Sequence, residues 1–220
     1  MMGAELSTLY IFGAGGHGRE VAWLARTLHP ATRLVHLVDD ERFLGGPVNG
    51  ATIELVSHVA PGAQAGFVTA VGNAELRRLA VAKLLAAGLR PVALVHPRSE
   101  VTPTATIGAG TVVCAGTVVS DRVEVGSHAI VNVGSTLSHD VRIGDYATVS
   151  PGAHIAGNVD IGEGAFIGIG ASITDGRAGA PVTIGAGAVV AAGAVVIADV
   201  EAGAVVGGVP ARRLHGEDEL

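Results

Sequence analysis

The sequence predicts a two-part chain: a small α/β parallel-sheet domain over residues 1–95, then a parallel β-helix over residues 96–220. Three observations predict it. Every sixth residue from Val101 to Ile173 is Val, Ile or Leu; strand and helix patterns alternate ahead of that series; and 33 glycines accompany seven aromatic residues in a chain of 220. A narrow tube filled with stacked aliphatic side chains has no space for rings and needs a turn at short intervals, so composition and period agree.

The first domain begins with an apolar strand at residues 9–12, followed by Gly13-Ala-Gly-Gly-His-Gly18 and a helix over 19–29 whose apolar face is Val21, Leu24, Ala25 and Leu28. A second strand, 34–38, ends in Asp39-Asp40. A third, 67–71, leads through Gly72 into Asn73, an N-cap for a helix that runs to about residue 87 and stops at Gly88. A fourth strand is expected at 91–95, with His96-Pro97 marking the boundary. Alternation of this kind builds a parallel sheet.

A period of six fits neither a 3.6-residue helix nor simple strand alternation. It fits a solenoid in which each hexad is one short strand plus a turn and three hexads close an 18-residue triangular coil. The repeating aliphatic points inward, and the small or β-branched residue four positions later, from Ala105 to Ala171, fills the corner. This second series first fails at Arg177. The aliphatic pattern resumes at Ile184, Val190, Val196 and Ala202 after an 11-residue step, which leaves five extra residues within 174–183. Residues 18 apart share a wall, so this insertion lies on the same side as His139, two coils further along.

Charge and composition exclude several roles. At a net charge of −6 without a basic cluster, the chain has no footprint for nucleic acid or an anionic membrane. Residues 1–8 lack a basic leader, and the most apolar stretch, 186–198, is broken by Gly187 and Gly193, so a cytoplasmic protein is expected. The lone Cys114 can form neither an internal disulfide nor a thiolate metal cage. His128, His139 and His154 occupy different hexad positions, so no common face gathers them around a metal, and no metal site is expected.

Gly13, Gly15 and Gly18 satisfy G-x-G-x-x-G after a strand and before a helix, with an acid about 20 residues on. Glycines there let backbone approach a phosphate, and the helix N-terminus supplies oriented N–H donors. The motif alone suggests NAD, but fewer than 100 residues supply about one mononucleotide half, which suits a nucleotide-activated sugar better. A tight turn that only packs helix on strand is the competing reading of the glycines.

These two halves, in this order, resemble the PglD/NeuD family of bacterial sugar acetyltransferases. The residues that carry the resemblance are Gly13-Ala-Gly-Gly-His-Gly18, Asp39-Asp40, Val71-Gly-Asn73, His96-Pro97, Val131-Asn-Val-Gly-Ser-Thr-Leu-Ser-His-Asp140, Gly157-Asn158 and Val206-Gly-Gly-Val-Pro-Ala-Arg212. The resemblance implies a Rossmann-like nucleotide-sugar domain, a left-handed β-helix and a homotrimer. The implied reaction moves an acetyl group from acetyl-CoA to an amine, usually the 4-amine of a nucleotide-linked deoxysugar; in relatives grouped with NeuD a sialic acid hydroxyl is the acceptor. It further implies His139 as general base, Asp140 as its acidic neighbour and Asn132 in the active site. Gly15, Gly16, His17, Asp39, Asp40 and Gly72 correspond to nucleotide-sugar contacts, and Gly157, Ile169 and Ala192 to acetyl-CoA contacts. Thr148 stands where some relatives have a second histidine, and Ala192 where some have glycine.

From the residues themselves, His139 is the third residue of the hexad that begins at Leu137, at or near a turn where its ring reaches solvent or a neighbouring subunit. Asp140 is adjacent, and adjacent strand residues point to opposite faces, so it can orient His139 only if the turn breaks that alternation. A non-catalytic trimeric scaffold whose first domain senses a nucleotide is the remaining function class.

Overall fold

The computed structural model describes residues 6–59 and 65–214. The chain divides into two compact units, Met1–Leu94 and Val95–Leu220.

In the first unit, strands β1 (Thr8–Phe12), β2 (Arg33–Val38), β3 (Thr52–Leu55), β4 (Ala65–Thr69) and β5 (Arg90–Pro91) form a parallel sheet in the order β3-β2-β1-β4-β5. Helices cover such a sheet on both faces, which is why its strands read as unbroken apolar runs. Leu9, Ile11, Val35, Leu37, Phe67 and Val68 are fully buried. Helix α1 (Gly16–Leu28) buries Val21, Ala22, Leu24 and Ala25 and begins three residues earlier than the apolar pattern indicates. His17 and Gly18 therefore lie in its first turn. Helix α2 (Ala74–Ala86) is capped as expected: the Asn73 side chain accepts the Leu76 N–H at 2.9 Å, and Gly88 follows at φ +77°.

Two expectations for this unit shift. The fourth expected strand, 91–95, is represented in the sheet only by β5, and β3 was not anticipated at all. The unread signal for β3 was Asn49-Gly50, both at positive φ (+48° and +76°) between the paired Val48 and Ala51. That is the two-residue turn chemistry that reverses a chain.

The second unit is a parallel β-helix with three walls. The first stacks Glu100–Val101, Val118–Val119, Thr136–Leu137, His154–Ile155, Ser172–Ile173 and Val195–Val196; the second runs from Thr106–Ile107 to Val182–Ile184, and the third includes Val112–Val113 through Val205–Gly207. Register confirms the 18-residue coil, since Val119 pairs with both Val101 and Leu137, and Leu137 with Ile155. Across the insertion all three walls step by the same larger interval, pairing Ile173 with Val196, Ile161 with Ile184 and Ile167 with Val190. The repeating aliphatics form one core with the corner residues, Val123 through Ala171 being fully buried at every corner.

From Ile107 to Ile167, the turn is built on a left-handed residue three positions after each inward aliphatic. Residues 110, 116, 122, 128, 134, 140, 146, 152, 158, 164 and 170 all have φ between +53° and +72°. Corner hydroxyls that enter the core are satisfied by the next coil: Thr111 Oγ1 donates to Gly126 O at 2.6 Å and Ser135 Oγ to Ser150 O at 3.0 Å.

The inward series ends differently from its sequence extrapolation. Ala202 is exposed, and Val200 takes the core position by bridging to Ile184, with Val206 paired to Val190. The last coil is thus shorter than 18 residues, and Arg212–Arg213 returns antiparallel on Val205–Gly207 to close the third wall. No helix among the described residues is long and apolar enough to cross a membrane.

Candidate functional site

In the first unit, β1 has β2 on one side and β4 on the other. Chains leave it in opposite directions, and a crevice opens beyond the strand C-termini at such a switch point. A cleft of about 490 Å³ lies there, lined by Gly13, Ala14, Gly15, Val38, Asp39 and Val71, with Phe43, Ile53, Leu76 and Leu79 as apolar walls and Lys83 beside Asp39.

The four glycines separate into two pairs. A Cβ on Gly13 would lie 2.9 Å from Ala70 O, and one on Gly18 would lie 2.3 Å from Gly13 O, so close backbone packing accounts for both. Gly15 would meet nothing within 4 Å and Gly16 only the end of Arg19, so packing accounts for neither. Gly15 is the N-cap of α1 and offers no capping side chain. The first N–H groups of the helix therefore keep their capacity for an anionic ligand. Beneath the turn, His36 is fully buried and its Nδ1 lies 2.8 Å from Gly13 O. Desolvation pushes the His36 pKa down, which keeps the ring neutral and its Nδ1–H a donor to that carbonyl.

Among the acceptor-side candidates, Gly15 and Asp39 line the cleft, whereas Gly16, His17, Asp40 and Gly72 do not belong to its lining. Asp40 instead caps the turn at Glu41–Phe43, accepting from Arg42 N at 2.9 Å, and His17 Nδ1 stands 3.3 Å from Glu20. Gly72 belongs to the loop between β4 and α2, where the buried Arg77 donates to Val71 O at 2.6 Å and Gly72 O at 3.0 Å. The Asp39 carboxylate receives Lys83 Nζ at 2.8 Å, and that hydrogen bond holds its pKa below the usual carboxylate range. Lys83, Phe43, Ile53, Leu76 and Leu79 escaped the sequence reading, because they come from three elements that share no motif.

In the β-helix, the turn between first and second walls carries His139 and Asp140. Asp140 is a left-handed residue, φ +58°, and this breaks the strand alternation that would have turned the two side chains apart. His139 Nδ1 consequently lies 2.9 Å from Asp140 Oδ2. The same carboxylate accepts from Arg122 Nε at 2.8 Å and Arg122 Nη2 at 3.1 Å. The Arg122 hydrogen bonds first, then the one from His139, lower the Asp140 pKa to about 2. The His139 side chain is 57% exposed. Its ring lies against Gly157, one coil on, where a Cβ would stand 2.5 Å from Cε1 and 2.6 Å from Nε2. The absent side chain at 157 is what makes room for the imidazole.

The insertion rises from the same edge. Gly176 N donates to Gly157 O at 2.9 Å, and Arg177 and Ala180 exchange backbone bonds to form a small hairpin. Asn132 stands on the preceding turn, between the third and first walls, and Ile169 and Ala192 occupy that edge in later coils. Ile169 is 61% exposed. Within one chain, then, His139, Asp140 and Gly157 share one edge, while Asn132, Ile169 and Ala192 share another. Of the other histidines, His128 stacks on Tyr146, and His154 Nδ1 lies 3.0 Å from Thr136 Oγ1.

Residues 8–84 match the family model described as the PglD N-terminal domain, and residues 140–175 the bacterial transferase hexapeptide (six repeats). Among solved structures, the acetyltransferase domain of PglB from Neisseria gonorrhoeae FA1090 is 36% identical, with a TM-score of 0.85 over 94% of this chain and 100% of that one. The same domain is known in complex with acetyl coenzyme A. WeeI from Acinetobacter baumannii AYE is 32% identical, with a TM-score of 0.88 over 94% of this chain and 99% of that one. PerB from Caulobacter crescentus, in complex with CoA and GDP-perosamine, is 29% identical, with a TM-score of 0.83 over 94% of this chain and 97% of that one. No curated protein matches the chain.

Proposed function

The chain belongs to the PglD/NeuD family of bacterial sugar acetyltransferases, and from that premise we propose that it carries an acetyl group from acetyl-CoA to the amino group of a nucleotide-linked amino sugar, with His139 as general base. The observation that carries the proposal is the His139–Asp140 pair on an exposed edge. With Nδ1 engaged by Asp140, Nε2 is the ring atom that accepts a proton, and no protein hydrogen bond to it is formed among the described residues. An uncharged amine attacks the thioester carbonyl carbon and a C–N bond forms. His139 Nε2 removes the proton from the ammonium of the tetrahedral intermediate; the C–S bond then breaks, and the departing thiolate takes the proton from the imidazolium. Transfer in this reading is direct, with no acyl-enzyme; the single cysteine, Cys114, is buried and its Sγ is engaged with Asn132 Oδ1 at 3.9 Å.

The cleft in the first unit supports a nucleotide-linked acceptor over a free sialic acid. Gly15 and the helix N-terminus suit a diphosphate, the carboxylate of Asp39 suits hydroxyl or N–H groups, and the apolar walls suit a planar base. Exposed Ile169, in line with Ala192, suits the pantetheine arm of acetyl-CoA. The two separate edges support a homotrimer: a three-fold assembly lets the His139 edge of one subunit face the Asn132 edge of its neighbour, as a heterologous closed interface does.

The test is His139→Ala. A general base acts in the transition state, so turnover should fall by about 10²–10⁴-fold with modest KM changes. A folded His139→Ala protein that keeps more than about a tenth of wild-type turnover defeats the mechanism.

A further inference from the structure

The Asp140 carboxylate is shared. Oδ1 accepts from Arg122 Nε and Oδ2 from both Arg122 Nη2 and His139 Nδ1, so a guanidinium grips in two-pronged fashion the acid that touches the base. Arg122 lies one coil before Asp140 at the equivalent turn position, and its own φ is +53°. Glycine or asparagine adopts that conformation more readily, and Asn158 holds it at the same edge one coil beyond Asp140 (φ +55°), so the arginine is held there against backbone preference. We propose that Arg122 is a positioning residue for the acyl transfer, clamping the Asp140 carboxylate so that one oxygen stays aligned with His139 Nδ1 and the ring keeps its Nδ1–H tautomer with Nε2 open.

The inference rests on the reading of His139 as the base. Its physical ground is the exposure of the pair. A carboxylate at a solvent-facing turn has rotameric freedom, and a single hydrogen bond to an exposed ring does not hold it. A planar guanidinium that engages both oxygens does, because its donors are fixed in a fork matching the carboxylate. Free imidazole prefers the proton on Nε2, so the Nδ1–H form needs an aligned acceptor.

The other charged groups around this edge are engaged elsewhere or stand further from the ring. Asp121 accepts from Thr104 Oγ1 at 2.6 Å and lies 3.9 Å from Arg122 Nε. On the second wall, Arg142 pairs with Glu124 and Asp160; on the first wall, His154 pairs with Thr136. Gly157 and Asn158 on the next turn bring no charge, and Asp175 and Arg177 belong to the insertion beyond them.

The experiment compares Arg122→Gln and Arg122→Lys in the full-length protein, alone and combined with Asp140→Asn. Arg122→Gln should lower kcat about fivefold, the size of a well-formed exposed ion pair, with both KM values unchanged within about twofold. Arg122→Lys, a point charge without the fork, should recover part of the loss. In the Asp140→Asn background, Arg122→Gln should have no further effect. Two readouts need no turnover. The ¹⁵N shifts of the His139 ring should move from the Nδ1–H form toward Nε2–H in Arg122→Gln. The Asp140 carboxyl titration should rise from about 2 toward its ordinary value of 3.8. An unchanged kcat, an equal loss in the Asp140→Asn background, or an unaltered ring tautomer overturns the proposal. Should His139→Ala keep its turnover, the base reading falls, while the tautomer and carboxyl measurements still decide whether Arg122 clamps the pair.

Discussion

A methyl group on Gly157 would occupy the space of the His139 ring. The residue thus has a steric role toward the base in addition to any contact with acetyl-CoA. In Gly157→Ala the exposed imidazole should swing off its Asp140 partner while the coil stays intact. A displacement of this size costs about 10- to 100-fold in kcat, and thermal melting unchanged beside the lost turnover is the expected pattern. Retention of full kcat would show that the ring works equally well elsewhere. On the acceptor side, Asp39→Asn removes the carboxylate that holds Lys83 and faces the cleft. The acceptor KM should rise about tenfold, in line with loss of a charged hydrogen bond, and that of acetyl-CoA should stay the same in steady-state kinetics. Motif logic reached Gly15 and Asp39 but could not separate Asp39 from Asp40. Only the direction of each side chain, one into the cleft and one back onto its own turn, does so.

The 174–183 insertion is an element grafted onto a register that continues beneath it. Val182 pairs with Val159, the corner residue one coil earlier, so it already occupies the place at which Arg177 interrupts the corner series. Deleting Arg177, Ala178, Gly179, Ala180 and Pro181 leaves Val182 four residues after Ile173 and restores hexad spacing. The trimmed protein should fold normally. The hairpin rises from the edge that carries His139, so the deletion should weaken acetyl-CoA binding several-fold, by the loss of roughly 1 kcal/mol of contact typical of a surface loop side chain. Calorimetric titration measures this, and identical affinity in both proteins would mark the hairpin as a tolerated surface insertion. Elements with a strict repeat were legible to the residue, including the insertion's length. Elements with a weak pattern were not: β3 has four residues and one buried side chain, and its signal lay in the turn before it. The final coil misled because Ala202 keeps the spacing while Val200 is the larger apolar group that closes the core.

At the scale of the whole molecule, the two edges of the β-helix define a complementation test. If each active site joins His139 from one subunit with Asn132 from the next, a His139→Ala chain and an Asn132→Ala chain are each defective alone. In randomly mixed trimers of equal proportion, about a quarter of the sites draw both intact residues and regain activity. Mixed trimers no better than the separate variants would show that the two residues do not meet across a subunit boundary. What the sequence by itself determined is whatever is periodic or local: the six-residue repeat dictates coil, core and the edge each residue occupies, and the glycine turn dictates where a helix N-terminus is left open. What only the tertiary structure decided is whatever depends on direction and on residues far apart in the chain. The left-handed turn at Asp140 points its carboxylate at His139 instead of away from it, Arg122 reaches that carboxylate from 18 residues before, and Gly157 yields its space to the ring from 18 residues after. A repeat specifies that these positions stack, but side-chain direction at a turn follows from backbone dihedrals that only the packed coil imposes.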